Sequence, residues 1–267
     1  MLGATTALAA LMTSCASGGP GSGSGGDDVA TDAEWRALAS PRPASLPGAP
    51  RVSFSGVDVA GTLWSLASPV PIDVGLSELV VAGLLRRRDV EFVERRRFAA
   101  AVEAERSAGG RPLRSPAAGL SRGAELTATA VWLPLGTGQV ALEVRLTNTQ
   151  TGAILRAGRQ AIPGDADPVG TARAIVATIL SELDDLGRLP AWEDPLEAAA
   201  PPAYRPSAVP ESAVEQFLAG LGAEERWNWE PARRFYQSAS RSAGFFEAQV
   251  ALARTARLRS GGTLGES

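Results

Sequence analysis

Any chemistry in this chain must be done by carboxylates, hydroxyls, arginines and one cysteine. All 26 basic residues are arginine, and the sequence contains neither lysine nor histidine. Without histidine there is no Ser-His-Asp or Cys-His nucleophile and no HExxH zinc site. Without lysine there is no Schiff base and no P-loop lysine, and one cysteine cannot form an intrachain disulfide or a CxxC metal site. We therefore expect a non-enzymatic protein with no cofactor and no metal.

The single cysteine, Cys15, follows an apolar segment directly. Residues 2–14, LGATTALAALMTS, are shorter than the roughly 20 residues that span a bilayer and are typical of a secretory signal core. The run from Leu11 to Cys15, LMTSC, resembles a bacterial lipobox, in which the cysteine is diacylated. The alternative is a buried cysteine behind an N-terminal helix, which the Gly/Ser-rich residues 16–26 disfavour. Cys15 is thus the predicted lipidation site.

Lipidation at this position predicts the location of the chain. Residues 1–14 are the expected lipoprotein signal peptide, and residues 15–50 a lipidated tether rich in Gly, Ser and Pro. Two acyl chains provide the stable anchor that a single chain does not. Ala16 follows the cysteine, which by resemblance to proteobacterial lipoproteins favours an outer-membrane anchor facing the periplasm. The net charge of −3 gives no bulk attraction for nucleic acid, so we do not expect nucleic acid as a partner.

The elements that follow residue 50 are predicted from hydrophobic spacing. Helical spacing predicts one helix with Asp73 as its N-cap, a second over residues 94–106, and a third that begins at Asp167 and ends near Leu186. Alternation predicts five strands, with a bulge at Gly56 in the first, over residues 52–59, 90–93, 126–132, 140–146 and 154–162. The order β-α-β-α-β-β-β-α predicts an α+β fold, a mixed sheet with helices packed on it.

Two stretches of this region resemble the CsgG family of curli-secretion lipoproteins. In LSELVVAGLLRRRDVEFVERRRFAAAVEAERSAGG, a helix leads to a strand that ends in Val-Glu-Arg (Glu94, Arg95) and then to a helix that carries Glu105. In RGAELTATAVW and VALEVRLTNTQTGAIL, a hairpin ends in the turn Thr151-Gly152. The resemblance covers about residues 51–189 and extends to the TolB N-terminal domain and to LpoB-type activators of penicillin-binding proteins.

This resemblance implies a scaffold that binds protein partners in the envelope, in envelope assembly or secretion. It makes the family-motif residues structural, with Glu94 and Arg95 as an ion pair between strand and helix. The connections at 133–139 and 147–153 are too short for the family's pore-forming hairpins, whose strands need about 9–11 residues each. Two alternatives stay open: an LpoB-like activator of a peptidoglycan synthase, and an oligomeric curli-type secretion component.

Two arginine triplets, Arg86–Arg88 and Arg95–Arg97, could bind an anion or peptidoglycan, because guanidinium pairs with carboxylate and phosphate in a bidentate fork. We instead predict solvated ends of secondary-structure elements, with Glu91 and Glu94 as partners, since a helix C-terminus favours cations. Acidic residues of the last helix of this domain could likewise form an acid/base pair, but their spacing predicts its solvated face; they are Glu182, Asp184 and Asp185.

The C-terminal part begins with proline-rich residues 190–210, which predict a semi-rigid linker. Residues 211–262 resemble tetratricopeptide sequence, and residues 263–267 are expected to be disordered. The small and aromatic positions of one 34-residue repeat are occupied by Gly220, Ala232, Tyr236 and Ala239. Because such repeats need stacked neighbours, three alternatives arise: these helices pack on the central domain, self-associate or bind a partner helix.

Overall fold

The computed structural model describes residues 45–59, 68–93, 123–135, 138–191 and 204–261. Its five strands are β1 (Arg51–Val59), β2 (Glu91–Phe92), β3 (Leu126–Pro134), β4 (Gln139–Asn148) and β5 (Ile154–Pro163). The helices in the described residues are α1 (Ile72–Arg86), α2 (Pro168–Asp185), α3 (Glu211–Glu225), α4 (Trp229–Ser240) and α5 (Phe246–Gly261). The helix expected over residues 94–106 lies outside them. No helix in this part of the chain combines the length and apolar character needed to cross a bilayer.

The sheet is mixed, with strand order β2-β1-β3-β4-β5. β1 runs parallel to both β2 and β3, whereas β3, β4 and β5 form an antiparallel meander. The predicted bulge in β1 is present, because the register with β3 shifts between Phe54 and Val57, and Gly56 adopts a φ of 128°. At the bulge the Val57 N–H donates to Ser77 Oγ of α1 at 3.0 Å. The α+β prediction is therefore confirmed.

Helices α1 and α2 pack side by side and against the sheet. They approach closely at Gly83 of α1, where a Cβ would lie 2.9 Å from a methyl group of Val176. The strands contribute every second side chain to the hydrophobic core, among them the fully buried Trp132, Leu142 and Leu146. This is the layer that the hydrophobic spacing of the strands predicts.

Of the two predicted N-caps, Asp167 of α2 is confirmed and Asp73 of α1 is not. Asp167 caps α2 as predicted: its carboxylate accepts the Gly170 N–H at 2.7 Å, and Pro168 occupies the first turn. Asp73 is not the N-cap of α1, which is Pro71 without a side-chain cap bond. Asp73 lies inside the first turn, where its carbonyl accepts the Ser77 hydroxyl at 2.6 Å. The helix begins earlier than expected because Pro71 already has the extended geometry of a capping residue.

We call the C-terminal helices α3, α4 and α5 the helical tail; α3 and α5 lie against α1, and α4 packs on α3 and α5. α1 is thus covered by the sheet and α2 and, in addition, by the tail. Its buried residues are Gly75, Leu76, Leu79, Val80, Ala82, Gly83 and Leu84. A helix enclosed in this way needs small residues where neighbours come close, and α1 supplies them at Gly75 and Gly83.

Candidate functional site: the docked helical tail

The predicted lipidation site, Cys15, lies outside the described residues, as do Glu94, Arg95 and Glu105 of the CsgG-like motif. Their roles stay predictions. The same holds for the signal peptide, the tether before residue 45 and the expected disordered end. Among the described residues, no group of three or more His, Cys, Asp or Glu side chains has the arrangement of a metal site.

The Thr151-Gly152 turn joins β4 to β5. Asn148 Oδ1 accepts the backbone N–H groups of Gln150 and Thr151, both at 3.0 Å, and the Gly152 N–H donates to the Asn148 carbonyl at 2.9 Å. Gly152 has a φ of 72°, a left-handed conformation that glycine adopts at least cost. The structure therefore gives the Thr151-Gly152 pair a turn-forming geometry.

The four tetratricopeptide-like positions meet in the hairpin of α3 and α4. Gly220 faces the Tyr236 ring so closely that a Cβ would lie 2.6 Å from a ring carbon, and Ala232, Tyr236 and Ala239 are fully buried. Phe217 packs on the same ring, with centroids 5.6 Å apart. The spacing thus brings these residues together, while the assignment to the tetratricopeptide family stays a prediction.

Apolar contacts join the tail to α1 and the segment before it. Gly75 of α1 lies directly beneath Leu218 of α3, with no room for a Cβ. Gly222 of α3 touches Pro69 just before α1, where a Cβ would come within 2.8 Å of the proline ring. α5 also packs on α1. Of the three alternatives for the tail, the structure shows the first: it packs on the central domain.

A buried polar cluster, Glu78, Glu224, Tyr236 and Arg254, lies at this contact. Arg254 of α5 donates to Glu78 of α1 at 2.8 Å and to Glu224 of α3 at 2.9 Å. The Tyr236 hydroxyl donates to Glu224 at 2.7 Å. Glu78 and Glu224 are only 11% and 5% exposed, so one guanidinium bridges two buried carboxylates from different elements. Their hydrogen-bond geometry requires α1, α3 and α5 to keep one arrangement.

Burial sets the protonation behaviour of this cluster. Desolvation, and then the charge of Glu224, raises the pKa of Tyr236 far above its ordinary value, so its hydroxyl stays a donor. Burial alone would lower the pKa of Arg254, but Glu78 and Glu224 outweigh it and raise that pKa above its ordinary value. The guanidinium is therefore charged at every pH at which the protein is folded.

A second polar contact joins α2 to the start of α5. Arg173 of α2 donates to both Glu247 oxygens, at 2.8 and 3.0 Å, and to the Gly244 carbonyl at 2.5 Å. Burial raises the pKa of Glu247, although Arg173 acts in the opposite direction. The Phe246 ring makes cation–π contacts with two guanidinium groups, those of Arg86 at 4.6 Å and Arg173 at 4.7 Å from its centroid.

Asp167 forms a third contact, with the end of the proline-rich segment. Besides capping α2, its carboxylate accepts the Ser207 hydroxyl at 2.6 Å, the Ser207 N–H at 2.9 Å and the Tyr204 hydroxyl at 3.0 Å. Burial would raise the pKa of Asp167, but the bonds from Ser207, Gly170 and Tyr204 outweigh it and lower that pKa. Residues 204–210 are thus bound to the domain just before the tail begins.

The arginine triplet at the end of α1 differs from the prediction. Arg87 forms two bonds to Asp89, at 2.7 and 2.9 Å, and both side chains are largely buried. Arg86 stacks on Phe246. The expectation of a solvated side chain is therefore wrong for Arg87, which is only 11% exposed because its guanidinium is bound by the buried Asp89 carboxylate. Arg88 is exposed as expected, and the second triplet lies outside the described residues.

The acidic end of α2 also differs from a plain solvated face. Glu182, only 12% exposed, accepts a bond from Arg156 of β5 at 2.9 Å, and Asp185 pairs with the same guanidinium. Arg156 thereby joins α2 to the edge strand. Asp184 is exposed as expected. The acid/base interpretation gains no geometric support, since both contacting carboxylates are bound to one arginine.

No protein-family model matches the chain, and no curated protein matches it. It is similar to the LpoB C-terminal domain from Salmonella enterica, at 18% identity and a TM-score of 0.31, over 48% of this chain and 90% of that one. Lipoprotein GNA1162 from Neisseria meningitidis shows 15% identity and a TM-score of 0.30, over 51% and 96%. A PelC dodecamer from Paraburkholderia phytofirmans shows 17% and 0.24, over 53% and 91%. At these identities no residue role is transferred to this chain.

Proposed function

We propose that the chain is a non-enzymatic outer-membrane lipoprotein that faces the periplasm and binds protein partners in envelope assembly or secretion. The observation that carries the proposal is the position of Cys15, after an apolar segment and before a Gly/Ser-rich tether. Diacylation of this cysteine would give the two-chain anchor that stable attachment needs. Fully extended, residues 16–44 would span at most about 100 Å.

The docked tail supports a scaffold role for the folded part. Arg254, Arg173 and Asp167 each bind groups from another element, and together they hold the tail and residues 204–210 to the domain. The faces of α3 and α5 that meet α1 are already occupied. A partner would therefore meet domain and tail as one surface and would bind outside the α1 contact.

The anchor is tested by metabolic labelling with radioactive palmitate, followed by membrane fractionation. We expect label in the wild-type chain, recovery in outer-membrane fractions, and loss of both in Cys15→Ser. Ser14→Ala is the matched control, because it keeps a small residue before the cysteine and should keep the label. Labelling that persists in Cys15→Ser would contradict the proposal.

A second candidate is an activator of a peptidoglycan synthase, as the LpoB-type resemblance of residues 51–189 implies. The tether favours it, because a synthase at the inner membrane is reached only across the periplasm. Affinity purification of the lipidated chain from envelope extracts separates the two candidates. A synthase recovered in stoichiometric amount, and lost when the tether is shortened, would favour the activator. Recovery of other envelope proteins without a synthase would favour the scaffold.

A further inference from the structure

The turn between α3 and α4 holds a tryptophan in a backbone conformation that suits glycine. Trp227 has a φ of 60° and is the only non-glycine residue with positive φ in the described part of the chain. Its N–H donates to the Glu224 carbonyl at 2.9 Å, and the Asn228 N–H donates to the Ala223 carbonyl at 2.9 Å. These bonds close the end of α3 around a left-handed residue, a position where glycine is strongly preferred.

Packing does not compensate for this strain. The Trp227 side chain is 74% exposed, so it buries little apolar area. Its ring meets Trp229, the first residue of α4, edge to face, with centroids 5.5 Å apart and planes at 88°. Strained residues that the fold does not need occur mainly at functional sites. The exposed indole at this turn is therefore a candidate ligand-binding surface.

The surroundings of the two rings indicate the chemistry of that ligand. Glu225, Arg226, Asn228 and Glu230 are exposed, and Glu230 pairs with Arg233 at 3.2 Å. With Arg233 counted, the two acidic and two basic side chains around the turn balance, which disfavours polyanions and anionic lipid. The other large apolar residues that are exposed in the described chain lie in β5 (Ile154 and Leu155) or directly after β3 (Leu135). An isolated indole pair lacks the apolar core of a protein interface, which buries about 800 Å² per partner.

We propose that the Trp227–Trp229 turn is a sugar-binding site that takes a pyranose chain without net charge. An indole face stacks on the C–H groups of a pyranose ring, and the side chains of Arg226, Asn228 and Glu230 can donate to or accept from its hydroxyls. This site goes beyond the proposed scaffold function and does not depend on the lipid anchor. Failure of the Cys15 test would leave it unaffected.

The proposal is tested by titrating the full chain with N-acetylchitotetraose and, separately, maltotetraose, while NMR follows the indole N–H resonances. We expect saturable shifts at Trp227 and Trp229 with at least one sugar, and no shift at buried Trp132. Trp227→Gly should weaken the apparent affinity at least about tenfold. Trp227→Phe, which keeps a ring, should retain part of it. The absence of saturable shifts with both sugars, or equal affinity in Trp227→Gly, would overturn the proposal.

Thermal unfolding of the same variants tests the argument from strain. Trp227→Gly relieves the left-handed conformation and should raise the Tm by about 2–4 °C, since the ring packs against little. A lower Tm would show that the indole stabilises the fold and would overturn the inference. Photo-crosslinking from position 227 to an envelope protein, with both sugars inert, would assign the turn to a protein partner and would equally overturn it.

Discussion

Replacement of Arg254 by methionine tests the docked tail most severely. The variant Arg254→Met keeps much of the side-chain volume and leaves Glu78 and Glu224 buried without the guanidinium that bridges them. Two charge-assisted bonds, at 2.8 and 2.9 Å, are lost. Removal of one partner from a buried ion pair costs about 3–5 kcal/mol. In a chain of this size that corresponds to a Tm lowered by roughly 6–20 °C.

The assay is urea unfolding of the full chain, followed by far-UV circular dichroism. The matched control is Arg51→Met, because Arg51 pairs with Glu125 at 3.4 Å and both side chains are nearly half exposed. That exposed pair should be worth at most about 1 kcal/mol. In Arg254→Met, the second change Glu78→Gln should recover part of the loss, since it removes one of the two buried carboxylate charges that the guanidinium bridged. If Arg254→Met loses no more than Arg51→Met, the polar cluster does not hold the tail, and the reasoning is refuted.

The other predictions concern the remaining contacts. Asp167→Ala removes a helix cap and the anchor of Ser207, and should cost about 1–3 kcal/mol in urea unfolding. The pKa of Asp167 is lowered in the folded state, so its stabilisation is complete above its unfolded pKa of about 3.9. That stabilisation is lost as pH falls through the folded pKa. Equal dependence of the unfolding free energy on pH below pH 4 in wild type and variant would contradict this. Gly220→Ala should destabilise by about 1–2 kcal/mol, because overlap with the Tyr236 ring outweighs the roughly 1 kcal/mol gained in helix propensity; a raised Tm would contradict that packing.

Local patterns were sufficient for most of the sheet and its helices. Alternation predicts the antiparallel strands, because it depends only on neighbours in sequence. Gly56 predicts the bulge, because the bulge needs a backbone conformation that glycine accepts most easily. Asp167 with Pro168 marked the start of α2 for the same reason. The prediction of Asp73 as the N-cap of α1 is wrong, because backbone geometry defines an N-cap and Pro71, two residues earlier, already has that geometry.

The contacts that hold the tail could not be predicted from spacing. Glu78 and Arg254 are 176 residues apart, and no local rule pairs them. Spacing predicts a solvated Arg87, because it places this residue at a helix end. Its burial depends on the pairing with Asp89, which spacing does not show. One signal was available: α1 contains Gly75 and Gly83 among apolar residues, a composition that fits a helix enclosed by several neighbours better than one with a solvated face.

If the tail and the central domain form one folded unit, native-state amide hydrogen exchange shows it most directly. The slowest amides of α3 and α5 should open with the same free energy as those of β4 in the sheet, because the tail is released only when the domain unfolds. Opening of α3 and α5 at a distinctly lower free energy, with β4 still protected, would show an independently mobile tail and would contradict the claim.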